Sequence, residues 1–292
     1  MIKYSFYLMT EKGFRTLDNF INEFGSEQIE AVITCQDESV KNDFYHEIIL
    51  LCKSNNIKVY NRNEKYILKS DYSIAISWRW VIKNINKPKL IIIHDSLLPK
   101  YRGFNPLVSY LLNKENYIGA TMLYASHRVD YGDIIYQIKM KIRYPLKIQE
   151  AILIVSELYY KLVRKFYLAT KSAARIVAYK QDGKKATYSM WRDDKDYKID
   201  WNKDSKYLKR FIDSVGYPYK GAYTFLNNRK IIINDAKEKE DRIIENRVPG
   251  KVFSLVNGNP LVVCGKGLLE LTDLRSINGH IIKISKIKTR FD

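Results

Sequence analysis

The chain has 292 residues and 46% are hydrophobic, so it can bury a sizeable core and is not a disordered chain. That length predicts two domains. Fifty Lys and Arg against 32 Asp and Glu give a net charge of +18, which favours an anionic partner: a nucleic acid, a membrane surface or a phosphorylated small molecule.

Ile2 to Met9 reads as a first strand, with Thr10 to Gly13 turning into a helix through Phe14, Leu17 and Ile21. Gly13 alone falls far short of a dinucleotide fingerprint and reads as a turn. Ala31–Cys35, Ile57–Tyr60 and Tyr72–Ser77 are further strands, and Phe44–Cys52 has helical spacing. Strands alternating with helices predict an open parallel, Rossmann-like α/β sheet with right-handed crossovers. Leu90 to Ile93 is a β-branched, apolar run that stops at His94, as in a strand buried on both faces. Ligands bind at that carboxyl edge of open α/β sheets. Pro99 and Gly103 then fix a turn, and Pro106 to Leu112 reads as a helix opening on a proline. Taken alone, His94 could simply end a strand and hydrogen-bond locally.

Gly119 to Tyr124 is another strand-like run, leading to Val129-Asp130-Tyr131-Gly132-Asp133. Ile148 to Leu168 is the longest periodic segment and reads as a core helix. Lys171 to Lys185 loses that periodicity and reads as a connection. After a helix from Tyr207 to Val215, short strands separated by turns predict a small C-terminal β-barrel. The expected boundaries are 1–184 for an N-terminal domain, 185–204 for an interdomain segment and 205–292 for an OB-like, β-rich domain. No apolar run reaches the length of a membrane span, and Met1 leads straight into a strand pattern, so a cytoplasmic location without membrane insertion is expected. Cys35, Cys52 and Cys264 read as buried reduced thiols, and the four histidines lack metal-ligand spacing, so no metal is expected.

Ser96-Leu97-Leu98-Pro99-Lys100-Tyr101-Arg102-Gly103 and the acidic turn at Asp130, 36 residues after His94, closely resemble the signature of the folate-dependent formyltransferases. Val263 to Leu269 resembles a strand pair of the C-terminal domain of methionyl-tRNA formyltransferase. The resemblance implies transfer of a formyl group from N10-formyltetrahydrofolate, as co-substrate, to an amine. It carries proton transfer to His94, with Asp130 as its partner. It carries backbone recognition of the folate to the loop at Trp80, Val81 and Ile82, with Asp130 at the same site. Ser96, Tyr101 and Arg102 become substrate-binding candidates. Trp191 and Arg192 join them, because an aromatic beside an arginine suits a base and a diphosphate. One departure stands out. The family's catalytic asparagine falls at Ile92, whose side chain offers a developing oxyanion no hydrogen-bond donor.

Two acceptors fit: a nucleotide-linked (UDP or dTDP) amino-deoxy sugar of surface-polysaccharide synthesis, and initiator methionyl-tRNA. The +18 charge and the C-terminal barrel favour tRNA. Against it, the tRNA enzymes carry a basic insertion after the second strand, where Gln36 to Val40 makes a short acidic connection here. The sugar nucleotide is therefore the expected substrate. A non-catalytic folate or nucleotide binding module rests on Ile92 alone, and a homodimer is left open.

Overall fold

The computed structural model describes residues 1–82 and 89–292. These divide into two compact units. The first comprises residues 1–109, 116–142 and 150–191, and the second residues 110–115, 143–149 and 192–292.

The first unit is built on a seven-stranded sheet. Its strands are β1 (Tyr4–Leu8), β2 (Ile29–Thr34), β3 (Lys58–Asn61), β4 (Tyr72–Ile76), β5 (Leu90–His94), β7 (Tyr117–Tyr124) and β8 (Ile134–Lys141). β6 (Arg102–Gly103) lies outside it, in a two-stranded ribbon with β9 (Tyr188–Ser189). The sheet order is β3-β2-β1-β4-β5-β7-β8. β1 to β5 run parallel, as the alternation of strands and helices predicts. β7 pairs antiparallel with β5, and β8 antiparallel with β7, so the sheet is mixed rather than purely parallel. An apolar run tells how deeply a strand is buried, not which way it points.

The helices are α1 (Thr10–Phe24), α2 (Tyr45–Ser54), α3 (Pro106–Leu112) and α4 (Ile148–Lys171). α1 starts at Thr10, earlier than the expected turn, and contains Gly13. A Cβ on Gly13 would stand 3.1 Å from Leu8 Cβ, so the small residue lets the helix lie close to β1. Every residue of β1 is buried. Phe20 of α1 and Tyr167 of α4 meet edge to face at 5.1 Å between ring centroids, and Tyr4 packs against both. Such aromatic packing covers the sheet where polar backbone must be kept from water. The strand order reverses between β1 and β4, which is where open α/β sheets leave a crevice at their carboxyl edge.

The second unit holds α5 (Ser205–Val215) and five antiparallel strands: β10 (Ala222–Leu226), β11 (Arg229–Lys239), β12 (Val252–Val256), β13 (Asn259–Val263) and β14 (Leu268–Ser276). Asp204 caps α5 by accepting from the Tyr207 N–H at 2.8 Å. The strand order β10-β11-β14-β13-β12 leaves β10 and β12 as edges. Residues 289–292 bridge them. Phe225 and Asp292 exchange backbone hydrogen bonds at 3.1 and 3.0 Å. Phe291 N–H donates to the Gly250 carbonyl at 2.9 Å, and Val252 N–H to the Thr289 carbonyl at 3.0 Å. Phe291 is buried beside Trp201, whose indole N–H donates to Thr224 Oγ1. The result is the small barrel that the run of short strands predicts.

Among the described residues no helix is long and apolar enough to cross a membrane. The three cysteines are buried and unpaired, and burial pushes the Cys35 thiol up to about 11 and Cys52 and Cys264 to about 12.

Candidate active site

His94 ends β5, and Ile92 precedes it on the same face of the strand. The imidazole is almost fully buried. Its Nε2 lies 2.8 Å from the Tyr101 carbonyl oxygen. A carbonyl only accepts, so Nε2 carries the hydrogen. The other ring nitrogen, Nδ1, stands 3.5 Å from Asp130 Oδ1. A proton captured by the neutral ring must therefore go to Nδ1, beside a carboxylate that stabilises it.

Asp130 is also buried, and its backbone is left-handed, with φ 61°. Its second oxygen, Oδ2, accepts from the Gly103 N–H at 2.8 Å. The loop that supplies that N–H takes the left-handed region three times, at Tyr101, Gly103 and Asn105. At Gly103 a Cβ would come within 2.6 Å of the Ser189 carbonyl oxygen, so only glycine fits. Gly132 is equally constrained, since a Cβ there would meet the Tyr124 carbonyl oxygen at 1.7 Å. The β6–β9 ribbon holds the loop from outside. Tyr101 N–H donates to Thr187 Oγ1 at 2.8 Å, and Phe104 N–H to the Ser189 carbonyl at 3.0 Å.

The substrate-binding candidates divide. Ser96 is fully buried, and its hydroxyl donates to the Lys100 carbonyl at 2.6 Å. Arg102 is also buried. Its guanidinium stacks 3.7 Å above the Tyr131 ring and donates to Gln181 Oε1 from Nε and Nη2 at 3.1 and 2.6 Å. Both were expected at the substrate, yet both side chains turn inward and brace the loop. The physical reason is that the left-handed loop needs its polar interior satisfied. The Tyr101 side chain is largely buried too, and the group it offers His94 is its backbone carbonyl. Trp191 is 58% exposed at the end of the first unit. In the second unit, Arg192 Nη1 donates to the Asp196 carbonyl at 3.2 Å.

Of the expected folate loop, Trp80 and Val81 are exposed, whereas Ile82 packs with Trp78 on the cluster of Tyr7, Ile33 and Ala75. The Arg62 guanidinium lies 3.9 Å over the Trp80 ring. At the adjoining strand ends, the hydroxyls of Thr10, Thr34 and Ser77 are buried without hydrogen-bond partners. Thr10 and Ser77 are left-handed, with φ 60° and 55°. Orphaned polar atoms on strained backbone at a sheet's carboxyl edge fit a polar ligand.

Ile92 is partly buried against Leu98, Leu123 and Ile134, and on its other side against the Tyr7 cluster. The apolar side chain thus has an apolar setting. Asp95, directly after His94, points away from the site to Lys12 and to the Tyr159 hydroxyl. Burial opposes its charge, but the Lys12 ammonium and the Tyr159 bond outweigh that and hold the carboxyl below its ordinary value. Among the described residues no group of three His, Cys, Asp or Glu could hold a metal ion.

Gln181, Thr187, Tyr131 and Tyr188 do much of the holding, and the sequence reading gave none of them a role. The Tyr131 and Tyr188 hydroxyls bond at 2.7 Å. For Gln181 the signal is the Gln181-Asp182-Gly183 turn inside a segment that otherwise reads as a plain connection; Tyr131 stands in the acidic turn, and Thr187 and Tyr188 in the stretch expected between the domains.

A buried histidine–carboxylate pair at a strand end of an open α/β sheet is an arrangement suited to moving a proton. The family description "Formyl transferase" matches residues 51–151, and "Formyl transferase, C-terminal domain" matches residues 193–291. The chain belongs to the formyl transferase family. It is 31% identical to the bifunctional polymyxin resistance protein ArnA of Wigglesworthia glossinidia brevipalpis over 94% of this chain and 42% of that protein. It is 28% identical to the methionyl-tRNA formyltransferase of Caldicellulosiruptor saccharolyticus over 68% of this chain and 63% of that protein. The chain thus spans less than two thirds of either curated relative. Its fold is similar to the crystal structure of WlaRD, a sugar 3N-formyl transferase, in the presence of dTDP and 5-N-formyl-THF. The TM-score is 0.71 at 20% identity, covering 98% of this chain and 99% of that one.

Proposed function

We propose that this protein is an N-formyltransferase that moves a formyl group from N10-formyltetrahydrofolate to the amine of a UDP- or dTDP-linked amino-deoxy sugar. The observation that carries the reading is the pairing of His94 Nδ1 with Asp130 in a chain of this family. In this reading residues 1–184 are the catalytic domain, 185–204 an interdomain segment and 205–292 a β-rich domain, and the enzyme works in the cytoplasm. Similarity to the fold of a sugar 3N-formyl transferase crystallised in the presence of dTDP supports a nucleotide sugar over other amines.

The co-substrate supplies a formyl carbon already activated on nitrogen. Trp80, Val81 and Ile82 hold it, with the orphaned Ser77 and Thr10 hydroxyls close along the same strand ends. His94 takes the proton of the attacking amine at Nδ1, because Nε2 is committed to the Tyr101 carbonyl. Asp130 stabilises the resulting imidazolium and keeps the ring aimed; as the new amide C–N bond forms and the C–N10 bond breaks, His94 returns that proton to N10, so that tetrahydrofolate leaves neutral at nitrogen. Ile92 contributes no hydrogen bond, so the developing oxyanion draws on the protonated His94, on backbone N–H groups or on water. Ser96 and Arg102 act by bracing the loop, and Trp191 and Arg192 remain the candidates for the nucleotide.

Initiator methionyl-tRNA is the second reading. The methionyl-tRNA formyltransferase relative and the +18 charge favour it. The two are separated by a folate-release assay at moderate salt, with a panel of UDP- and dTDP-amino sugars beside charged initiator tRNA. Turnover with one sugar nucleotide that changes little with salt supports the sugar reading, because a single diphosphate makes few ionic contacts. Turnover with the tRNA alone overturns it. Folate binding with no turnover on any acceptor points to a binding module.

A further inference from the structure

We propose that Gln181 is a positioning residue for the His94–Asp130 pair, acting through Asp130; its kinetic test rests on the formyl-transfer reading. Gln181 lies in irregular backbone just before the turn at Gly183–Lys185. Its amide nitrogen donates to the carbonyls of Asp130 and Gly132, both at 2.8 Å. Its amide oxygen accepts from Arg102 Nε and Nη2. Both N–H groups and both acceptor positions are therefore used, each set on one side of the site.

The two sides are the two supports of the Asp130 carboxylate. On one side, Gln181 holds the carbonyls of Asp130 and Gly132, and so the left-handed backbone at Asp130 that a non-glycine residue adopts only at a cost. On the other, it holds Arg102, whose neighbour Gly103 gives its N–H to Asp130 Oδ2. One neutral amide thus fixes both the turn that carries the carboxylate and the loop that receives it. A glutamate at 181 would keep the acceptor for Arg102 but lose both donors to the turn. A methionine would keep the length and lose both functions.

The test uses Gln181→Met and Gln181→Glu in the full-length protein, each also combined with Asp130→Ala. Both single variants should lose roughly 10- to 100-fold in kcat, the scale of an ångström-sized misplacement, with the KM for the folate within about twofold. In the Asp130→Ala background the same substitutions should cost nothing further. Equal losses in both backgrounds, or a change confined to KM, would overturn the proposal. Exchange of the Gly103 amide hydrogen, followed by NMR, is independent of turnover. It should quicken about tenfold or more in Gln181→Met while β1 and β5 amides stay protected. Unchanged Gly103 protection refutes the positioning role even if the wild type formylates nothing. An inactive wild type with quickened Gly103 exchange refutes only the formyl-transfer reading.

Discussion

His94 shows Asp130 its Nδ1 and keeps its Nε2 for the Tyr101 carbonyl. The ring is fixed at one end by an acceptor that never changes charge and faces a carboxylate at the other. In the proposed mechanism proton transfer therefore runs through one nitrogen, Nδ1.

Replacing His94 with alanine should lower formyl transfer by about 10² to 10⁴-fold, the usual contribution of a positioned acid–base group. The variant should still fold, with a lower thermal midpoint, because a buried ring is removed and the Tyr101 carbonyl loses its donor. Single-turnover kinetics on purified His94→Ala protein, beside a melting curve, checks both. Near-wild-type turnover would remove the proton-transfer role.

Asp130→Asn keeps an oxygen for the Gly103 N–H but loses the charge beside Nδ1. The expected outcome is a loss of activity of at least about 10²-fold with folate affinity nearly unchanged. Isothermal titration with a non-reactive folate measures the second quantity. Collapse of folate binding alone would reassign Asp130 to the folate site.

Ile92→Asn restores the residue type that the family signature has at this position. In this chain the amide would stand among Leu98, Leu123 and Ile134 and find no partner there. The cost should be about 1–3 kcal/mol of stability, with no gain in rate. Urea denaturation with a parallel rate measurement decides it; a variant that is faster and equally stable contradicts the apolar-site account.

Asp95 gives a prediction for pH. Its carboxyl titrates below its unfolded value of about 3.9, so its pair with Lys12 stabilises the fold above that pH and fades as pH falls through the lower folded value. Asp95→Asn removes the charge that faces the partly buried Lys12 ammonium and should cost about 1.5–3 kcal/mol at neutral pH. The gap between wild type and variant should narrow as pH drops below about 4. Melting temperatures from pH 3 to 7 that run parallel would show that the pair does not titrate with unfolding.

The legible parts of this chain are those written in local pattern. The apolar run of β5, the Pro99–Gly103 loop and the 36-residue spacing to Asp130 all stand in the sequence itself. The direction of β7 is not written there, because burial on two faces erases the alternation that separates one pairing from another. The inward turn of Ser96 and Arg102 was hidden for a different reason. A polar residue in a signature loop looks the same whether it meets a ligand or the loop's own backbone. Gln181 was hidden because its partners, two backbone carbonyls and the Arg102 guanidinium, lie far away in sequence and impose no residue type on the chain between. The side chains of Trp80, Val81 and Trp191 are exposed and that of Ile82 packs with Trp78, but a loop expected to bind through its backbone leaves no mark on which side chains stand out.

The closure of the second unit by residues 289–292 has a consequence for how the protein is made. During synthesis β10 leaves the ribosome long before the segment that covers its edge. Until Thr289 to Asp292 emerge, the side of Phe225 that faces away from β11 has no backbone partner, and Trp201 has no Phe291 to pack against. The nascent sheet is thus an open ribbon whose free edge can pair with a neighbouring chain on the same message. Deleting residues 289–292 would make that vulnerability permanent, leaving every catalytic candidate intact beside a β10 edge open to pairing with another chain.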